Sequence, residues 1–102
     1  MTEYDIRQYR LMLNTIKEQI HSMSNLKNVL NNLQSLASVL GERDEEWLSL
    51  YSAQWWMMEE FYAYYSSEDT KGLDEDALAK IERSRLKLYE LIKNKVQDDS
   101  PK

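Results

Sequence analysis

The chain contains no cysteine and very few residues that interrupt secondary structure. Its 102 residues include two Gly and one Pro. Without cysteine it cannot build a disulfide framework, a thiol nucleophile or a thiolate zinc site. The tight turns of a multi-strand sheet depend on Gly and Pro, so their scarcity favours helices. The composition therefore predicts an all-α protein, and a chain of this length is expected to form one domain.

Long apolar runs are also missing. No stretch approaches the roughly 18 apolar residues that a membrane-spanning helix requires. The first residues, Met1-Thr2-Glu3-Tyr4-Asp5, have neither the basic start nor the apolar segment of a signal peptide. We therefore expect a soluble, cytoplasmic protein, in agreement with the lack of cysteine.

Hydrophobic periodicity predicts two helices in the first 40 residues. Apolar residues three and four apart predict a helix over residues 3–22, with Thr2 as its N-cap. A second series predicts a helix over 25–40, with Gly41 at the C′ position. The apolar pattern changes phase near residues 21–25, which favours a hairpin of two helices. A single bent helix is the alternative.

Two further helices are predicted in the second half of the chain. Asp44 is a suitable N-cap for a helix over 45–65. After a polar loop, a fourth helix is predicted over 74–96, with Asp74 as its N-cap and with acidic and basic ends that suit the helix dipole. We therefore predict a single-domain, antiparallel four-helix bundle over residues 1–97 and a frayed tail over 98–102.

The charge of the chain is unevenly distributed. The net charge is −5, but residues 42–76 contain eleven acidic and two basic residues, whereas residues 77–102 have a net charge of +3. The acidic segment also contains eight of the eleven aromatic residues. Tyr and Trp supply large rigid contacts, and carboxylates steer and pair with Lys or Arg. This combination is typical of a surface that binds a basic protein.

The third predicted helix is apolar nearly all round, so a four-helix bundle cannot bury every face of it. One stripe is predicted to form core: Trp47, Tyr51, Trp55, Met58 and Tyr62. A second stripe comprises Leu50, Met57, Phe61 and Tyr64, with Trp56 outside both. Some of Trp56, Phe61, Tyr64 and Tyr65 should be exposed unless a homodimer covers them. The predicted partner-binding residues are Trp56, Glu59, Glu60, Tyr64, Tyr65, Glu68 and Asp69. In the simpler interpretation the aromatics are core and the acids are caps and solubilising charge.

The usual equipment of catalysis is missing from the sequence. His21 is the only histidine, and there is no HExxH motif, phosphate-binding Gly-rich loop or Gly-x-Ser-x-Gly. We therefore expect a non-catalytic protein without a metal or cofactor. A remote alternative is a carboxylate-metal nucleotide hydrolase, because Glu42-Arg43-Asp44-Glu45 matches the first half of the Glu-x-x-Glu and Glu-x-x-Asp pattern of all-helical pyrophosphohydrolases. The second half of that pattern is absent.

Direct nucleic-acid binding is not expected either, since it requires a concentrated basic face. The best candidate is a group on the fourth helix: Lys80, Arg83, Arg85 and Lys87. Glu82 and Glu90 dilute this group, so it is interpreted as a solvated helix surface.

The segment Tyr64-Tyr65-Ser66-Ser67-Glu68-Asp69 resembles the small immunity proteins with which bacteria neutralise their own nuclease toxins. In the colicin nuclease immunity family, a four-helix fold presents a Tyr-Tyr pair and nearby acids to a basic toxin domain. The resemblance implies these roles for Tyr64, Tyr65, Glu68 and Asp69. It covers about six residues, and no Pro follows the tyrosines as it does in that family. Immunity proteins of contact-dependent growth inhibition vary widely in sequence, so this function does not require a match to the colicin type.

The leading functional hypothesis is an immunity or antitoxin-type protein that neutralises a basic toxin domain, for example a nuclease. The alternative is a helical adaptor, chaperone or regulatory subunit, monomeric or homodimeric. It would bind through its exposed aromatics or the Asn-rich outer face of the second helix.

Overall fold

The described residues form four α-helices and no strand. The structure is a computed structural model that describes residues 2–20, 22–41, 44–67 and 75–98. Helix α1 spans Glu3–Ile16, α2 spans Met23–Ser38, α3 spans Glu45–Ser67 and α4 spans Glu75–Asp98. The predicted all-α class is confirmed.

The helices pack in a ring. Each helix packs against the next in the chain, and α4 packs back against α1. Hydrogen bonds between helix ends show how the helices run relative to one another. Asp5, near the start of α1, accepts a hydrogen bond from Gly41, just beyond the end of α2. Trp47, near the start of α3, donates a hydrogen bond to Leu91, late in α4. Neighbouring helices are therefore antiparallel, which gives the four-helix bundle that the sequence predicts.

Side-chain caps start three of the helices. The hydroxyl of Thr2 accepts a hydrogen bond from the backbone N–H of Asp5 at 3.1 Å, and Ser22 caps α2 in the same way. The carboxylate of Asp44 accepts from the N–H of Trp47 at 3.1 Å. The predicted caps Thr2 and Asp44 are confirmed, whereas the predicted cap Asp74 lies outside the described residues.

Two predictions for the first half of the chain are wrong in detail. Helix α1 ends at Ile16 rather than at residue 22, and the guanidinium of Arg85 in α4 donates to the Ile16 carbonyl at 2.7 Å. This bond satisfies a carbonyl that the helix end leaves free. Ile20 is buried although it is no longer helical, which explains why the apolar series runs past the helix. Residues 3–38 thus form two helices and not one bent helix.

Gly41 does not occupy the predicted C′ position. Helix α2 ends at Ser38 with Val39 as its C-cap, so Gly41 is one residue further along. Its φ lies outside the left-handed region that favours glycine. The backbone N–H of Gly41 instead donates to the buried carboxylate of Asp5 at 2.8 Å, which ties the end of α2 to the start of α1.

The core receives side chains from every helix. The largest fully buried members are Tyr9, Met12, Ile16, Ile20, Leu26, Leu30, Leu33, Met58, Ile81, Leu88 and Ile92. Of the predicted core stripe of α3, Trp47, Tyr51 and Met58 are buried, whereas Trp55 and Tyr62 are partly buried and packed against the core.

Trp47 connects α3 to α1 and α4. Its ring packs edge-on against Tyr9 of α1, with centroids 5.4 Å apart, and stacks on Tyr51 at 5.1 Å. Its indole N–H donates to the carbonyl of Leu91 in α4 at 2.9 Å. Trp47 therefore links α3 to α1, the helix diagonally opposite in the bundle, and its own buried indole N–H has an acceptor.

An ion pair lies directly beside Trp47. The ammonium of Lys95 in α4 is 2.7 Å from the carboxylate of Asp44 and 5.6 Å from the centre of the Trp47 ring. The bond from Lys95, followed by that from the Trp47 N–H, holds the pKa of Asp44 below its ordinary value. Asp44 thus caps α3 and pairs the buried lysine of α4.

Two aromatic side chains join α3 to α2 through spare carbonyl lone pairs. The hydroxyl of Tyr51 donates to the carbonyl of Leu33 at 3.3 Å, and the indole N–H of Trp55 donates to the carbonyl of Leu30 at 3.1 Å. Burial raises the pKa of the Tyr51 phenol above its usual range. The bonds fix how α3 is rotated against α2.

Within the described part of the chain, no helix has the length and apolar character to cross a bilayer.

Replacing Trp47 with Phe should destabilise the fold far more than the same change at Trp56. Phe loses the bond to Leu91 and leaves part of a buried site empty, so the free energy of unfolding should fall by about 1–3 kcal/mol. Trp56 is 59% exposed, and its change should stay within about 0.5 kcal/mol. Urea unfolding followed by circular dichroism measures both; equal losses would contradict the central position of Trp47.

Asp44→Asn should lower stability at neutral pH by removing the charge while keeping a side chain that can cap. Because the folded-state pKa of Asp44 is lowered, its ionic contribution is present above the ordinary value of 3.8 and is lost as pH falls through the folded-state pKa. The stability gap between the parent and Asp44→Asn should therefore close in acid. Unfolding curves from neutral pH down to about pH 2 test this. Asp76→Asn, at an exposed pair with Lys80, is the control and should produce little gap at any pH.

Candidate protein-interaction surface

The outer face of α3 carries large side chains that the bundle does not cover. The buried positions Trp47, Tyr51 and Met58 turn one side of α3 to the core, so the side chains opposite them point outward. Trp56 is 59% exposed and Tyr64 is 57% exposed. The expectation that part of this aromatic set is exposed is confirmed.

The structure places five of the seven predicted partner-binding residues. Trp56, Glu60 and Tyr64 are exposed, whereas Glu59 and Tyr65 are half-buried. Glu68 and Asp69 lie outside the described residues. The three exposed members are four residues apart along α3, so they lie side by side on one surface of the helix.

The exposed aromatic rings have fixed neighbours. Trp56 stands edge-on to Trp55 with ring centroids 5.0 Å apart, and Trp55 is held by its bond to Leu30. Tyr64 and Tyr65 form a similar edge-to-face pair at 4.9 Å. Rings that are already oriented lose less conformational entropy when a partner covers them, which favours binding.

A groove of about 340 Å³ lies on α3 beside the Tyr64–Tyr65 pair. It is lined by Met57, Glu60, Phe61, Tyr64 and Tyr65. Its walls are aromatic and apolar, and Glu60 supplies one carboxylate. A groove of this kind suits a side chain with an apolar stem and a cationic end, such as Arg or Lys.

The electrostatic character of α3 is entirely acidic. Residues 45–67 include four Glu and no Lys, Arg or His. Glu45, Glu46 and Glu60 are exposed, so their charges face solvent. An aromatic surface on a helix without cations will attract basic partners and repel acidic ones.

Known proteins offer no guide to this surface. Comparison with protein-family models, curated proteins and solved structures finds no match to the chain. The function must therefore be inferred from the geometry.

The cations of α4 do not form the single solvated surface that the sequence suggests. Arg85 is buried, where it pairs with Glu82 and donates to the carbonyl of Ile16, so that prediction is wrong for this residue. Lys80 pairs with Asp76 at 3.1 Å. Arg83 and Lys87 are exposed.

Arg83 and Lys87 line a second groove, which the sequence analysis did not identify. This groove, of about 470 Å³, lies between α3 and α4 and is lined by Leu50, Gln54, Arg83, Leu86, Lys87, Glu90, Leu91 and Asn94. Leu50 and Leu86 are each about half exposed. Leu50 belongs to the second apolar stripe seen in the sequence, but its neighbours on α4 could be found only from the tertiary structure.

The polar face of α2 is exposed to solvent. The residues concerned are Asn28, Asn31, Asn32, Gln34, Ser35 and Ser38. A groove of about 260 Å³ runs along the surface between this helix and α3, and Gln34, Ser38 and Trp56 line it. Trp56 is therefore reachable from the α2 side as well as from the outer face of α3.

Within the described ranges, no three His, Asp or Glu side chains are grouped so as to hold a metal ion. Glu42, the first residue of the hydrolase-like motif, lies outside those ranges. Asp44 from the same motif already pairs with Lys95.

Arg85→Met should destabilise the bundle, whereas Arg83→Met should not. The first change leaves the Ile16 carbonyl without this donor and Glu82 without its cation, which costs about 1–3 kcal/mol. Arg83 is exposed, so its loss should stay within about 0.5 kcal/mol. Urea unfolding at low protein concentration measures both. Equal stability of the two variants would show that Arg85 does not hold α4 to the end of α1.

Proposed function

We propose that this chain is a non-catalytic binding protein that holds a basic protein partner on the outer face of α3. The observation that carries the proposal is the exposure of Trp56 and Tyr64 beside Glu60 on a helix without cations. Exposed aromatic anchors supply most of the binding energy in many interfaces, and the surrounding carboxylates raise the association rate.

In its most concrete form, the proposed function is that of an immunity protein that neutralises a toxin domain, for example a nuclease. Nucleases bind phosphates through basic residues, and the carboxylates of the acidic segment would occupy the positions that phosphates take. Inhibition would be steric or by substrate mimicry. The resemblance of Tyr64-Tyr65 and the following acids to colicin immunity proteins supports this form of the proposal.

A second candidate function is that of a helical adaptor or regulatory subunit. The observation that favours it is the continuous exposed amide and hydroxyl face of α2, which includes Asn28, Asn31 and Asn32. A surface of this kind can pair with polar backbone or side-chain groups without a strong charge requirement. Its partner would bind with little dependence on salt.

Capture of the partner tests the first function. The immobilised protein is exposed to a lysate of its source cells at low and moderate salt, and bound proteins are identified by mass spectrometry. We expect one basic polypeptide, released as salt rises because exposed charge pairs are screened. A captured polypeptide that degrades nucleic acid, and is inhibited by this chain, would establish the immunity function.

Aromatic variants locate the binding surface. Trp56→Ala and Tyr64→Ala should each weaken the captured complex by about 10- to 100-fold, as loss of a buried anchor does. Tyr4→Ala is the matched control, because Tyr4 is 50% exposed on α1, outside the acidic segment. Surface plasmon resonance with the captured partner measures all three. Unchanged affinity of both α3 variants would show that the partner does not bind on this face. Loss of affinity in an Asn31→Ala/Asn32→Ala variant instead would favour the adaptor function.

A further inference from the structure

The groove between α3 and α4 is bounded by two hydrogen bonds that join these helices. The indole N–H of Trp47 donates to the carbonyl of Leu91 at 2.9 Å, and the hydroxyl of Ser84 donates to the sulfur of Met57 at 3.2 Å. Because the two bonds lie seven residues apart on α4, they fix both the spacing and the direction of the two helices. The walls of the groove are therefore in place before anything binds, which lowers the cost of occupying it.

The groove has an apolar lining that faces solvent. Leu50 is 51% exposed and Leu86 is 49% exposed, and Leu91 lines the groove beside them. The lining residues on α4 run from Arg83 to Asn94. At 1.5 Å per residue this is roughly 16 Å, or about three turns of helix. Exposed apolar side chains grouped along a groove are typical of a site that takes another helix.

Two cations that line the groove have no ion pair with any described residue. Arg83 and Lys87 are exposed and lie four residues apart, so their charges are about one helical turn apart on the same face of α4. Three other basic residues of α4 do have such a pair: Lys80, Arg85 and Lys95. The charges left unpaired within the described ranges are thus the ones beside the apolar lining.

Glu90 gives the groove a direction. It lies three residues after Lys87, toward Asn94, so the cations are grouped at the opposite end. A phosphate backbone laid along the groove would meet this carboxylate and would leave the leucines without apolar partners. An amphipathic helix can place two carboxylates, four residues apart, against Arg83 and Lys87 and can cover the leucines with apolar side chains of the same face.

We propose that this groove binds an acidic amphipathic helix of a partner protein, about three turns long. Two carboxylates of that helix pair with Arg83 and Lys87, and its apolar side chains pack on Leu50 and Leu86. The apolar contact supplies most of the affinity, and the cations select an acidic helix over a basic one. A contact of this length is smaller than a standard interface, so the complex should dissociate at roughly micromolar concentration.

The groove is separate from the surface proposed for a basic partner. Gln54 lines the groove, and Trp56 is two residues further along α3. Since a helix turns about 100° per residue, these two side chains lie on nearly opposite sides of α3. The two sites therefore take partners of opposite charge, and covering Trp56 does not cover the groove.

A peptide selection tests the groove without a known partner. Helical peptides of about 16 residues, randomised on one face, are displayed on phage and selected on the immobilised protein. Fluorescence anisotropy then measures the affinity of each selected peptide for the parent and for variants. We expect a group of peptides with Asp or Glu four residues apart beside apolar residues. Their affinity should fall at least about 10-fold on Arg83→Glu/Lys87→Glu, should also fall on Leu86→Ala, and should not change on Trp56→Ala.

A charge swap shows that the pairing is direct. When Lys replaces the two acidic residues of a selected peptide, binding to the parent should be lost and binding to Arg83→Glu/Lys87→Glu should appear. That recovery also shows that the variant is folded. Arg7→Glu/Arg10→Glu is the matched control, because it reverses two exposed cations on α1 and makes the same change in net charge. It should alter the affinity of the acidic peptide by no more than about 2-fold, since distant charges are screened.

Several results would overturn the proposal. One is a selection in which no peptide depends on Arg83 and Lys87, or in which the dependent peptides lack paired acids. Another is an equal loss of affinity on the α1 control, which would reduce the effect to net charge. The groove would belong to a different occupant if Arg83→Glu/Lys87→Glu abolished self-association in sedimentation equilibrium or binding to phosphatidylserine vesicles, with no acidic peptide selected.

Discussion

The contacts of Trp47 are the constraint on which the rest of the structure depends. Its ring touches Tyr9 of α1 and Tyr51 of α3, and its N–H bonds to the carbonyl of Leu91 in α4. Tyr51 carries the connection on to α2 through the carbonyl of Leu33. A tryptophan buried in this way permits only one orientation of α3 about its own axis, because turning the helix would take the indole N–H away from its acceptor. The bond between Lys95 and Asp44 holds the start of the same helix in place.

The surface properties of α3 follow from that rotation. With Trp47 and Tyr51 turned inward, Trp56 and Tyr64 must point to solvent, on a helix that contains four Glu and no Lys, Arg or His. Leaving large aromatics exposed weakens solubility and contributes little to folding, so their presence favours a binding function. The proposed partner uses this face.

The sequence predicts the fold well because the helices have clear periodicity and side-chain caps such as Thr2 and Asp44. It places the end of α1 too late, because Ile20 remains buried after the helix has stopped. The carbonyl of Ile16 that the helix end leaves free accepts a hydrogen bond from Arg85, a residue 69 positions away in the chain, and no local pattern reveals this bond. The candidate surface was found only in part for the same reason. The exposure of Trp56 follows from its position outside both stripes, but the grouping of Leu50 with Arg83 and Lys87 depends on how α3 packs against α4.

Helix α3 ties two of its three tryptophans to neighbouring helices by hydrogen bonds and leaves Trp56 exposed, where we propose that a partner binds. Hydrogen exchange of the three indole N–H groups, followed by NMR in the free protein and after addition of the captured partner, tests it directly. Trp47 and Trp55 donate to helix carbonyls and should exchange slowly in both states, whereas Trp56 should exchange fast when free and become protected in the complex. Fast exchange at Trp47 in the free protein, or a Trp56 signal that the partner leaves unchanged, would contradict the account.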